Sequence, residues 1–234
     1  MSARFTPTKA HLDQAFGWDV VNWSTAIDLW HPWLASESPL DVLEVGGREG
    51  GLSLLAARYG HRVLCSDLEN PESAARPHHE RERFSGTIRY AAMDALEIPF
   101  NSAFDLILFK SILGGIGRDH HPEFQQQAID GMYRALKPGG CLLFAENLTG
   151  SELHRYLRRR FQPWGNSWRY MNADELREML SAFTEVEMRS TGLLGTLGRN
   201  ETQRRLLGKL DQLVLARGCP SSWHYLVTGY ARKN

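Results

Sequence analysis

Apolar residues along the chain fall into short β-prone runs separated by stretches of helical spacing, and this alternation continues over most of its length. Val42, Leu43 and Val45 form one run that stops at Gly46; Leu52, Leu55, Ala56 and Tyr59 then recur at helical spacing, and Gly60 closes that helix. Arg62 to Cys65 forms the next run and ends on Ser66-Asp67. Strand, helix and strand in unbroken succession make a βαβ unit, whose parallel strands leave a crevice beyond their carboxyl ends. Ile88 to Ala92 reads as a third strand and Phe104 to Phe109 as a buried fourth. A helix from about Glu123 to Leu136 precedes a fifth strand over Cys141 to Ala145; Thr184 to Ser190 and His224 to Ala231 are the sixth and seventh. Asn172 with Glu175 fits a capping box ahead of an amphipathic helix. Leu206, Leu207, Leu210, Leu213 and Val214 predict one further helix between the last two strands. Before the first strand, Asn22 or Asp19 as cap predicts a helix that runs to about His31 and ends at Pro32.

With 234 residues the chain is most economically one α/β domain with additions, large enough for a substantial core. Its 27 basic and 27 acidic residues cancel, so no global field attracts nucleic acid or an anionic membrane, and nucleic-acid binding is not expected. Cys65, Cys141 and Cys219 are too scattered for a disulfide framework. The first residues lack the apolar core of a signal peptide and no stretch is apolar enough to span a membrane, so the expected location is a reducing cytoplasm. His78-His79 has no Cys or acidic neighbour at metal-ligand spacing, and no metal is expected.

Glycines between a strand and a helix let a ligand approach the backbone, and the start of the helix offers unpaired N–H groups with partial positive charge. An adenosyl group suits such a place. Asp67, at the end of the next strand, stands where a carboxylate accepts hydrogen bonds from both ribose hydroxyls, and Glu44 lies just before the turn with its acceptors expected at the same mouth. A dinucleotide fingerprint would need glycine at 46, 48 and 51, but position 48 is Arg. Glu44, Gly46 and Gly50 instead match the acidic-x-Gly-x-Gly-x-Gly motif, with Arg48 in place of the middle glycine and Gly47 and Gly51 beside it. Met93-Asp94-Ala95 follows the third strand, and Leu136-Lys137-Pro138-Gly139-Gly140 precedes the fifth. In these stations and their order the chain resembles the class I S-adenosylmethionine-dependent methyltransferases from about Val42 to Asn147.

The resemblance implies a three-layer Rossmann-like α/β fold with a seven-stranded, mostly parallel sheet and an antiparallel last strand. It implies S-adenosylmethionine as cofactor, held by Glu44, Gly46, Gly47, Arg48, Gly50, Asp67, Leu68, Asp94, Ala95, Lys110 and Ser111. Residues 1–38 would form a helical cap, 39–150 the cofactor-binding core, and 151–234 the substrate side with the helical insertion. The expected activity is methyl transfer to a small-molecule acceptor, most simply to an oxygen of a sugar, a phosphorylated intermediate or a secondary metabolite. A nicotinamide-dependent oxidoreductase and a degenerate module that only binds or interacts are the alternatives.

Several residues compete for the acceptor side. His120 and His121 offer a base of suitable pKa after the fourth strand, or merely begin a helix. Glu146, ending the fifth strand, is a second base candidate, and Lys110 could contact cofactor or an anionic acceptor. Trp23 either lines the site or packs the N-terminal helix on the sheet. Arg159, Trp164, Trp168 and Tyr170 follow the fifth strand, where members of this family carry acceptor specificity; the plain alternative is a charged helix face with aromatic packing. The inserted helix either caps the site or meets another subunit, as a homodimer would require.

Overall fold

The computed structural model describes residues 5–161, 167–215 and 218–234. Three helices come first, α1 (Lys9–Phe16), α2 (Val20–Trp23) and α3 (Ala26–Leu34), followed by β1 (Asp41–Val45), α4 (Gly51–Arg58), β2 (Arg62–Asp67), α5 (Glu72–His79) and β3 (Thr87–Ala92). The chain continues through β4 (Phe104–Lys110), α6 (Leu113–Ile116), α7 (Pro122–Ala135), β5 (Leu136–Asn147), α8 (Glu152–Phe161) and α9 (Ala173–Met179). It ends with β6 (Glu185–Thr191), α10 (Glu201–Leu215) and β7 (Leu226–Arg232). The seven strands make one sheet in the order β3-β2-β1-β4-β5-β7-β6. β7 alone runs antiparallel, against both β5 and β6. The expected fold class is therefore the observed one. No described helix is long and apolar enough to cross a membrane.

Strand alternation divides the core between the two faces of the sheet. On one side Leu43, Val45, Ile107, Phe109, Leu142 and Phe144 pack against Ala128, Ile129 and Met132 of α7 and Leu176 of α9. On the other, Val42, Leu106, Leu108, Leu143 and Ala145 meet Phe16, Trp23, Trp30 and Leu34 of the cap and Leu52 and Leu55 of α4. Removing such fully buried side chains from water supplies roughly 1.5–3 kcal/mol each.

The cap departs from the single helix expected. Gly17 at φ 73° ends α1, and Asp19 at φ 47° starts α2, so the chain turns twice before α3. Pro32 lies inside α3 instead of ending it. It forfeits only the bond its missing N–H would make to Asp28, and Ala35 still donates to the His31 carbonyl at 2.8 Å. Buried Trp30 and Leu34 hold the turn in place.

The inserted helix α10 packs on this cap. Glu201 accepts the backbone N–H groups of Asp19 at 2.7 Å and Val20 at 3.1 Å, satisfying donors at the start of α2. Buried Asp211 accepts from the Asn22 side chain at 2.9 Å and from the Leu194 and Gly195 backbone at 2.6 and 3.0 Å. The Lys-Pro-Gly-Gly segment is not a free turn before β5 but an irregularity within it, since pairing with β4 shifts from Phe104–Leu136 to Leu106–Cys141. Lys137 bridges Asp41 at 3.0 Å and Asp105 at 2.9 Å, at the end of the sheet opposite the crevice.

Candidate functional site

The turn from β1 to α4 is shaped by what its glycines exclude. Gly46 has φ 72°, and a Cβ there would lie 2.3 Å from the Ile112 side chain. A Cβ on Gly47 would come 2.7 Å from the Cys65 sulfur and 3.2 Å from the Glu44 carboxyl group. Arg48 adopts φ 48° without being glycine, which costs on the order of 1 kcal/mol. Glu44 is buried, so its acceptors are not open at the mouth as the sequence reading had them. Its carboxylate accepts the Ser53 backbone N–H at 2.8 Å and the Ser53 hydroxyl, so it caps the positive end of α4. Burial pushes its pKa up to about 7, against the hydrogen bonds from Ser53.

Asp67 closes β2 opposite this turn. One carboxylate oxygen accepts the Arg48 N–H at 2.9 Å and the other the N–H of Leu68 at 2.7 Å. An ionised carboxylate has about four acceptor positions, so one on each oxygen remains, a match for two vicinal ribose hydroxyls. Leu68 projects beside it with 69% of its surface exposed, an apolar face free to meet a base. Asp94 is exposed beyond β3 and its carboxylate accepts the Leu96 N–H at 2.9 Å, with Ala95 between them. His79, to which the sequence assigns no role, is buried and holds the turn: its ring nitrogens meet the Gly50 carbonyl at 3.0 Å and the Tyr90 hydroxyl at 2.8 Å. Among the described residues no group of acids, His and Cys is arranged to bind a metal.

At the end of β4 the Lys110 ammonium donates to the Phe16 carbonyl at 3.0 Å and stands 4.9 Å from the centre of the Trp23 ring and 5.5 Å from that of Trp18. Burial lowers its pKa to about 8, with Glu146 and Glu44 opposing. Trp23 is fully buried and its indole N–H has no hydrogen-bond partner. Ser111, at φ 57°, donates its N–H to Ala145 at 2.8 Å, and its hydroxyl meets the Asn147 side chain at 2.5 Å.

Glu146 does not face the crevice as a base. It is fully buried and accepts the N–H groups of Ile112 at 2.9 Å, Leu113 at 2.8 Å and Asn147 at 2.7 Å, thereby fixing the loop that roofs Gly46. Burial raises its pKa to about 7. His120 and His121 lie in the exposed turn before α7, where His121 pairs with Glu123 at 2.7 Å. Their side chains make no described contact with the strand ends.

On the acceptor side the neighbour of the expected arginine is the buried one. Arg159 is exposed, whereas Arg158 donates to the Leu148 and Thr149 carbonyls at 2.7 and 2.9 Å and lies 4.1 Å over the Tyr170 ring. Arg158 stands four residues after buried His154, on the same face of α8. Trp168 packs against Gly114 and Gly115, where added Cβ atoms would meet it at 2.8 and 3.4 Å. Trp164 lies outside the described residues. An adenosyl amino acid fits this arrangement, with open acceptors on Asp67, the exposed face of Leu68 and the unpartnered Trp23 N–H in the cap.

The family described as "Methyltransferase domain" matches residues 43–144. The ubiquinone/menaquinone biosynthesis C-methyltransferase UbiE of Methylococcus capsulatus is 36% identical over 141 residues, 58% of this chain and 51% of that protein. The chain thus spans about half the length of the curated relatives it matches. Phosphoethanolamine N-methyltransferase 2 of Haemonchus contortus, solved with phosphomonomethylethanolamine and S-adenosylhomocysteine, superposes with a TM-score of 0.61 at 18% identity, over 90% of this chain and 52% of that one. A S-adenosylmethionine-dependent methyltransferase of Methanosarcina mazei gives 0.60 at 19% identity, over 85% and 94%. At these identities the superpositions speak for the fold.

Proposed function

From the premise that the chain belongs to the class I S-adenosylmethionine-dependent methyltransferases, with its domain over residues 43–144, we propose that it transfers a methyl group from S-adenosylmethionine to a small-molecule acceptor. The observation that carries this reading is the pairing of Asp67 with the Gly46–Gly50 turn, which leaves two acceptor positions on the carboxylate at the crevice mouth. The cofactor supplies a methyl group already activated by its sulfonium. The chain's part is to orient and to exclude water. Asp67 and Leu68 hold the nucleoside end, the β1–α4 turn receives the amino-acid end, and the cap places Trp18, Trp23 and Phe16 over the end of β4. Glu146 is engaged by backbone N–H groups and His121 by Glu123, in keeping with a reaction driven by alignment.

The acceptor atom is an oxygen, or a carbon conjugated to an ionised oxygen. Oxygen is the simplest choice from sequence, while the UbiE relatives are named C-methyltransferases. A phenolate or enolate offers both atoms. Incubation with methyl-labelled S-adenosylmethionine and a panel of phenols, enols and hydroxylated sugars tests the proposal. Label should pass to acidic acceptors; cofactor binding with no transfer across the panel would favour the interaction-module reading.

A further inference from the structure

Lys110 is the last residue of β4, and its side chain points to the cap. Its ammonium has one hydrogen-bond acceptor among the described residues, the carbonyl that closes α1, and two indole faces. No carboxylate among the described residues lies within ion-pair distance. The acids whose fields reach it are engaged elsewhere: Glu146 with three backbone N–H groups, Glu44 with Ser53, and Asp19 with Asn22 and Tyr225. Arg48 beside the turn adds a repulsive field, and Arg204 covers the Trp18 ring at 5.3 Å.

A cation held this way is short of a partner. Desolvating an ammonium is costly unless an anion or several acceptors replace its water, and two of its three N–H donors have no described acceptor. A methionine would fill the space between Trp18 and Trp23 without that cost. Lys110 is half-buried, not sealed in, and it ends β4 at the carboxyl end of the sheet, where the crevice lies.

We propose that Lys110 is the counter-ion of a ligand oxyanion, supplied by an acceptor that binds as a phenolate or enolate at the end of β4. This rests on the methyl-transfer reading and names the acceptor class for the same site. The carboxylate of the cofactor's own amino-acid part is the other source of the same chemistry, and binding measurements separate the two.

The test uses the full chain, with 4-nitrophenol as a probe whose colour reports ionisation. With saturating S-adenosylhomocysteine, the wild type should bind the probe as its phenolate and lower its apparent pKa by about one unit, equivalent to about tenfold. Lys110→Met should abolish that shift while binding S-adenosylhomocysteine within about twofold of wild type. Lys110→Gln, which keeps a donor for the Phe16 carbonyl, should behave as the Met variant does. If Lys110→Met instead loses S-adenosylhomocysteine affinity but binds 5′-deoxy-5′-methylthioadenosine unchanged, Lys110 serves the cofactor carboxylate and the proposal fails. It also fails if the probe does not bind, or binds both proteins equally. A wild type that binds no S-adenosylhomocysteine would overturn the methyl-transfer reading itself.

Discussion

The Asp67 carboxylate accepts the backbone N–H of Arg48 at 2.9 Å, tying the end of the second strand to the glycine turn that follows the first. One side chain therefore shapes the turn and presents acceptors at its mouth. Asp67→Ala should weaken S-adenosylhomocysteine binding by at least about tenfold, because it removes the charged acceptor and releases the turn together. Calorimetric titration of the folded variant checks this, and unchanged affinity would take Asp67 out of the site.

Arg48 occupies a left-handed conformation that glycine adopts freely. Arg48→Gly should preserve cofactor affinity and change stability by no more than about 1 kcal/mol, relief of strain being offset by glycine's greater unfolded entropy. Denaturant unfolding and titration together decide it. Loss of binding would show that the guanidinium itself holds the ligand.

Burial pushes Asp19 up to about 7, with Tyr225 and Asn22 pulling down and Asp211 and Glu201 pushing up. Its folded pKa exceeds the ordinary 3.8, so the stability it contributes is complete below 3.8 and is lost as pH rises to about 7. Glu44 and Glu146, also raised to about 7, act in the same direction. Lys110, lowered to about 8, has the opposite history: its contribution is complete above 10.5 and is lost as pH falls through about 8. Melting temperature should therefore decline between about pH 5 and pH 7, and Asp19→Asn should flatten the decline. Equal slopes in thermal scans of the two proteins would contradict the assignment.

Arg158 and Arg159 are adjacent in sequence and unlike in consequence. Arg158→Met leaves the Leu148 and Thr149 carbonyls without their charged donor and should cost roughly 2 kcal/mol. Arg159→Ala, at an exposed position, should stay within about 0.5 kcal/mol. Urea unfolding of both variants makes the comparison.

What the sequence revealed was what local chemistry encodes. The β1–α4–β2 unit and Asp67 could be read because glycine, strand runs and a terminal carboxylate are adjacent in the chain. The capping box of Asn172 and Glu175 formed as expected, with bonds of 2.8 Å in both directions. The bends of the cap escaped because Asp19 takes a positive φ, and because Glu201, far away in sequence, holds it there. The role of Glu146 was within reach: it shares a face of β5 with Leu142 and Phe144, and a carboxylate on that buried face must find N–H donors. The counter-ion deficit of Lys110 was not, since it depends on which acids other elements have already engaged.

The most direct test of the account is calorimetric titration of the purified chain with S-adenosylhomocysteine, with NADH titrated in parallel. The geometry at Asp67 and the glycine turn predicts binding of S-adenosylhomocysteine in the micromolar range and none of NADH. Binding of NADH alone, or of neither ligand, would contradict it.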